Sequence, residues 1–310
     1  MSKFIISGFY DEVSSDLKTQ LELIKSLGGK YLCPRSINGK NISTFNVDSF
    51  KSEVLPLLNE YGVKISTMGS PYGKVKINDD VAFEAQLANL KNTVEICKEI
   101  GCKYIRVFSF FPPAGDDFNK YHDLVVEKMK KFLETVEGTD IMLLHENEKK
   151  IYGDNPNRCV RLYEAIANPK NFGLIYDASN YIQCDYDPVD AYFLTRDYIT
   201  EFHIKDCYKE TKVEVPLGLG QGSYDAILAD ADKHGFEGFV TLEPHTWKYS
   251  LLKRTFYIAP FWLIMMNFIK TFRYIDKQLN VSLFGKISRK DIFVIQHTNL
   301  VELLDKLKKS

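Results

Sequence analysis

The sequence predicts a closed (β/α)8 barrel, and three observations carry that expectation. One phrase recurs along the chain, a helical pattern followed by a glycine and a short apolar run: "LIKSLGGKYLCPRS", "LNEYGVKISTMG", "CKEIGCKYIRVFSF" and "ADKHGFEGFVTLEPH". Short apolar runs that read as strands occur at residues 4–9, 31–36, 64–69, 104–109, 140–146, 172–178, 201–206 and 238–245. Helical segments fill the gaps. Alternating strand and helix means parallel strands with helical crossovers, and eight such units in about 250 residues match a closed barrel. No G-x-G-x-x-G follows the first run, which weighs against an open doubly wound sheet.

The elements follow in order. Leu17, Leu21 and Ile24 fall on one helical face, as do Leu87, Leu90, Val94 and Cys97, at spacings of three and four. The glycine after each pattern is the residue expected to end a helix in the left-handed conformation. No linker or low-complexity segment divides the chain, so residues 1–280 are expected as one barrel domain. Residues 281–310, with "SRKDIFVIQHTNLVELLDKLKKS", are expected as a C-terminal extension, helical and packed on the barrel. Residues 256–269, "FYIAPFWLIMMNFI", are 14 uncharged residues broken by Pro260. That is short of the ~20 that span a bilayer, so a buried helix is expected there.

Composition narrows the function. Forty Lys and Arg balance forty-one Asp and Glu, and the net charge of -1 gives no electrostatic case for nucleic acid or an acidic membrane surface. The six cysteines are scattered without a C-x-x-C, so neither a zinc knuckle nor a disulfide framework is expected. The apolar run in "MSKFIISGFYDE" is too short for a signal peptide, and a cytoplasmic location is the expectation. A homo-oligomer is compatible with the chain but not indicated by it.

In such a barrel the chemistry sits at the C-terminal ends of the strands, and the ionisable residues collect there. The fifth run ends in "HENE", the sixth in "YDASN", the seventh in "FHIKD" and the eighth in "LEPH". Glu146 or Glu148, Asp177, His203 and Glu243 thus stand at equivalent height on four consecutive strands. Carboxylates converging in a barrel mouth repel one another, and each uncompensated buried charge costs several kcal/mol. A divalent cation would resolve that conflict. A lone strand histidine is usually a satisfied core residue and a lone strand-end glutamate a solvated one, but four successive strands repeating the pattern point to a shared centre.

Strand alternation refines the assignment. Glu146 and Glu148 share a side of the fifth strand and His145 takes the other, so His145 is expected to face the helices; Glu146, nearer the strand, is the favoured ligand. His203 and Lys205 share a face, as do Glu243 and His245, which makes Lys205 and His245 candidates for supporting or substrate contacts. Lys205 and Arg106 are divided between anchoring a substrate anion and making a structural ion pair. The glycines of "PLGLGQGSYDAIL" offer backbone N–H groups that could hold a phosphate or sugar hydroxyls, or form a plain turn. In "MGSPYGKV", Ser70, Gly73 and Lys74 could line the mouth or merely shape a loop.

With these motifs the sequence resembles the sugar phosphate isomerase/epimerase family of the xylose isomerase-like TIM barrels. "HENE", "YDASN", "HIKD" and "LEPH" carry the resemblance most specifically, and "SGFYDEVSSDLKTQLELIKSLG", "RSINGKNI", "GSPYGKV" and "YIRVFSF" extend it over about residues 4–247. It implies a divalent ion held by Glu146, Asp177, His203 and Glu243, with the two glutamates as acid and base. Manganese is the first expectation, with magnesium, zinc or cobalt as alternatives, because oxygen ligands with one imidazole suit these ions. Glu148 and Asn180 join the substrate-binding candidates. Two departures stand out: "YLCPRS" has no acidic residue near Cys33, and Asn180 stands where relatives acting on ketoses carry histidine, so sugar specificity does not transfer.

The implied chemistry is isomerisation or epimerisation of a small sugar or sugar derivative, phosphorylated or not, by proton transfer through a metal-stabilised enediolate. A dehydratase acting on a keto-inositol would use the same enolate chemistry. An AP endonuclease-like hydrolase would need several zinc ions, more histidines and basic DNA-binding loops. A barrel that binds sugar without catalysis would not need the full ligand set.

Overall fold

The computed structural model describes residues 3–245, 249, 266–282, 285 and 287–309. Seven parallel staves form one hydrogen-bonded sheet in the spatial order Lys3–Gly8, Glu237–Leu242, Ile199–Ile204, Phe172–Asp177, Met142–Glu146, Tyr104–Val107 and Met68–Tyr72. The remaining stave, Tyr31–Leu32, pairs in parallel with Lys64–Ile65, the leading half of the third stave. The Cys33 N–H then donates to the Gly8 carbonyl at 3.0 Å and joins the second stave to the first. The result is a (β/α)8 TIM barrel.

The third stave departs from its expected span of 64–69, since it breaks after Ile65 and resumes from Met68 to Tyr72. Gly69 explains the tight passage: a Cβ there would lie 2.7 Å from the Phe9 ring and 2.8 Å from the Pro34 carbonyl oxygen. The helices form as their spacing requires. Leu17–Ser26 is capped by Asp16, whose carboxylate accepts the Thr19 N–H at 2.8 Å, and Asp80–Ile100 ends at Gly101 with φ 68°.

The barrel interior is layered. At the N-terminal end, the rings of Tyr31 and Tyr104 pack around Phe239 at 5.0 and 6.1 Å. Above them lies a polar layer in place of the usual branched aliphatics. Ser7 and Ser66 hydroxyls meet at 2.6 Å, and Thr67 and Thr241 each donate at 2.5 Å to the buried Glu201 carboxylate. The mouth follows.

The expected extension is woven into the barrel. Helix Arg289–Leu307 starts with a capping box between Ser288 and Asp291 and places Phe293, Leu300 and Leu304 in the main apolar core. Phe293 packs on Tyr10 with ring centroids 4.6 Å apart. Gln296, fully buried, accepts the Leu217 N–H at 2.6 Å and donates to the Ile204 carbonyl at 2.8 Å, tying the seventh stave to the last helix. Most of the expected apolar helix at 256–269 falls outside the described residues; its end begins helix Met266–Gln278. Among the described residues no helix is long and apolar enough to cross a membrane, and all six cysteines are free.

Because Phe293 is buried in that core, Phe293→Ala is expected to destabilise the fold by about 3–5 kcal/mol in urea unfolding. A loss below about 1 kcal/mol would mean that the last helix is peripheral.

Candidate metal centre

Glu146, Asp177, His203 and Glu243 come together in the mouth. They arrive from the fifth to eighth staves, all four are buried, and each offers a ligand atom within 4.8 Å of the others. Parallel pairing sets the heights, since His203 lies opposite Asp177 on one side and Thr241 on the other. His203 Nδ1 stands 3.1 Å from Glu146 Oε1 and 3.3 Å from Glu243 Oε2. Its Nε2 faces the opposite way, 3.6 Å from Glu201 Oε1.

Each carboxylate is held from outside the cluster. Arg106 donates to Glu146 Oε2 at 3.0 Å and to the carbonyls of Ser70 at 3.2 Å and Gly69 at 2.8 Å. That buried guanidinium makes the structural ion pair that stood as one of the two alternatives for Arg106. Asp177 Oδ1 accepts the Asn180 N–H at 3.0 Å, while the Asn180 side chain donates to the Asn147 carbonyl at 2.8 Å and reaches Glu146 Oε1 at 3.4 Å. Lys205 Nζ lies 2.8 Å from Asp177 Oδ2 and 3.5 Å from Glu243 Oε2. Glu243 Oε1 turns outward to Arg35 at 3.2 Å and His245 Nδ1 at 3.4 Å. Glu148 stands aside in an ion pair with Lys74 at 3.0 Å.

The electrostatics are those of a crowded site. Burial, then the Glu243 and Glu146 carboxylates, push Asp177 up to about 7 against the opposing pull of Lys205. Burial also raises Glu146, but His203 and Arg106 outweigh it and bring this carboxyl down to about 2. The donor set fits a divalent cation on two counts. Three carboxylates and one imidazole suit hard to borderline ions, and each of the four residues aims a ligand atom at a common centre within 4.8 Å of the others. Glu12, Glu243 and His245 form a second ligand-like group. The positive charge there is Arg35, which also pairs with Asp11 at 3.1 Å and Glu12 at 3.2 Å.

The sequence reading missed Arg35, Phe9 and Glu201. Arg35 sits in "YLCPRS", the segment whose lack of an acid stood out, and it brings a cation to Glu243 instead. The Phe9 ring meets His203 edge-on at 5.1 Å and lies under Arg35 at 4.6 Å and Arg106 at 5.0 Å. Glu201 could have been found by parity, two residues before His203. The glycine loop after the seventh stave holds an internal anion: Gly218, Gly220 and Gly222 N–H groups donate to the Asp206 carboxylate at 2.9, 3.0 and 2.8 Å. Of the two alternatives for this loop, a cradle for a phosphate or sugar hydroxyls and a plain turn, the structure shows a turn closed on the chain's own carboxylate. His145 faces the helices, with Nε2 2.9 Å from the Ser109 hydroxyl, and a Cβ on Gly153 would stand 2.3 Å from its ring.

The sequence matches the xylose isomerase-like TIM barrel family over residues 16–254, and the chain belongs to that family. Among solved structures, it is similar to a xylose isomerase-like TIM barrel protein from Mycobacterium smegmatis in complex with magnesium, at 15% identity and TM-score 0.68, covering 98% of this chain and 97% of that one. A D-allulose 3-epimerase from Methylomonas sp. in complex with D-allulose aligns at 12% identity and TM-score 0.66, over 97% of each chain. A probable 3-DHS dehydratase from Bacillus anthracis aligns at 15% identity and TM-score 0.60, over 78% of this chain and 92% of that one. No functionally curated protein matches the sequence.

Burial lowers His145 from 6.5 to about 4, opposed only by the Glu146 carboxylate. A depressed folded pKa means that the unfolded chain binds the proton first, so this contribution is full above about 6.5 and is lost as pH falls towards 4. Between pH 7 and pH 5 the wild type is expected to lose about 2 kcal/mol more than His145→Gln in urea unfolding. Parallel losses in the two proteins would contradict a buried neutral imidazole.

Proposed function

We propose that the protein is a divalent-metal-dependent isomerase or epimerase of a small sugar or sugar derivative. The observation that carries this reading is the convergence of Glu146, Asp177, His203 and Glu243, from four consecutive staves, on one buried centre. These four residues would hold the ion, manganese first, with magnesium, zinc or cobalt as alternatives. When bound, it would supply Lewis-acid polarisation of a substrate carbonyl.

The chain's own groups then divide the work. Glu146 and Glu243 are the acid and base: one removes the proton from the carbon beside the carbonyl and the other returns it. Arg106 fixes Glu146 by Oε2 and leaves Oε1 towards His203, while Arg35 and His245 fix Glu243 by Oε1 and leave Oε2 towards the centre. Pinned carboxylates need little reorganisation when charge moves, which favours proton transfer. The Lys205 ammonium offers a positive charge to oxygens that become negative during the transfer. Asn180, His245 and Glu148 are the further candidates for substrate hydroxyls.

A cavity of about 1010 Å³ lies among the loops after the third to sixth staves and is lined by Lys76, Lys149, Lys150, Arg158, Phe111 and Phe118. Its lining also includes Asp154, paired with Arg158, and contains none of the four candidate ligands. The same glutamate pair would also serve a dehydratase, a reading supported by the similarity to the Bacillus anthracis protein.

Purified protein is expected to contain about one equivalent of divalent metal by elemental analysis. Glu243→Gln is expected to keep the fold and lose exchange of a substrate C–H with solvent deuterium, read by NMR across ketoses, keto-inositols and their phosphates. Exchange at the wild-type rate in that variant would remove Glu243 from the chemistry. Loss of water instead of isomerised product would favour the dehydratase.

A further inference from the structure

We infer that Glu201 is a positioning residue for the metal centre, setting which nitrogen of His203 is free to ligate; this rests on the metal-binding reading above. Glu201, His203 and Lys205 alternate along the seventh stave and its end, so all three side chains enter the barrel. Glu201 lies in the polar layer directly behind the histidine and is fully buried.

A buried carboxylate costs several kcal/mol unless something nearby uses its charge. Two hydroxyl donors fix its orientation, Thr67 on Oε2 and Thr241 on Oε1, both at 2.5 Å. Neither neutralises it. Among the described residues, the basic side chain that approaches Glu201 is His203, through Nε2 at 3.6 Å.

The two ring nitrogens thus face different layers. Nδ1 stands among Glu146 and Glu243, and Nε2 stands before Glu201. A neutral imidazole that ligates through Nδ1 carries its proton on Nε2, and that N–H needs an acceptor. Closing the 3.6 Å separation by about half an ångström brings Glu201 into hydrogen-bonding range. Glu201 then holds the ring plane and the tautomer, and its negative charge strengthens His203 as a ligand. The edge of the Phe9 contact, with centroids 5.1 Å apart, packs against the same ring and restrains it sideways.

The test titrates Mn2+ into metal-free wild type and Glu201→Gln by calorimetry, with thermal unfolding of both metal-free proteins alongside. The expected result is a 10–100-fold weaker affinity in the variant, with a metal-free midpoint that moves little. A variant that binds Mn2+ within twofold of wild type overturns the inference while leaving the metal centre intact; a wild type that binds no Mn2+ overturns the metal reading itself. Should Glu201→Gln fail to fold, the 15N spectrum of histidine-labelled wild type with Zn2+ decides the matter. A proton on Nε2 of His203 supports the assignment, and a proton on Nδ1 overturns it.

Discussion

The structure depends on how three carboxylates tolerate one another in a space from which water is largely excluded. Glu146, Asp177 and Glu243 are all buried, with ligand atoms within 4.8 Å of each other and of His203. Like charges this close raise one another's proton affinity, and Asp177, pushed up to about 7 by burial and by the two glutamates, registers the strain. Arg106, Lys205 and Arg35 relieve it from the periphery. Each cation takes one oxygen of a glutamate or aspartate, at 3.0, 2.8 and 3.2 Å respectively. What remains in the middle is a set of lone pairs and an imidazole nitrogen, the chemistry of a cation site.

The rest of the barrel can be understood as support for that crowding. The seventh stave carries His203 and Lys205, and its end is clamped from several directions. The Tyr224 hydroxyl donates to the His203 carbonyl at 2.7 Å and accepts the Lys205 N–H at 3.1 Å, while Gln296 reaches the intervening Ile204 carbonyl at 2.8 Å. Asp206, next along the chain, gathers the glycine amides of the following loop. A candidate ligand on such a tethered strand would lose little conformational freedom on engaging an ion. The last helix belongs to this apparatus, because Gln296 contributes one of the clamps.

Much of the fold was legible because it is repetitive. Eight apolar runs, helices with spacings of three and four, and glycines at the helix ends each reported the same alternation, and the parity of "LLHENE" was enough to send His145 outward and Glu146 inward. The candidate ligands could be named for the same reason, as strand-end positions at one height. What the sequence concealed were partners distant along the chain. Arg35 reaches Glu243 across 208 positions, and nothing in "CPRS" announces an ion pair with the eighth stave. The glycine loop looked like an anion cradle, and it is one, but the anion is the chain's own Asp206. Glu201 stood in plain view two residues before His203, yet a glutamate inside a strand reads as a solvated residue until the barrel closes around it.

The central claim is that these four side chains share one cation, and anomalous diffraction from crystals grown with Mn2+ tests it most directly. The account predicts a single strong peak at the mouth, with Glu146, Asp177 and Glu243 oxygens and His203 Nδ1 at roughly 2.0–2.4 Å. A peak among Glu12, Glu243 and His245 instead, or no peak at the mouth at saturating Mn2+, would contradict it.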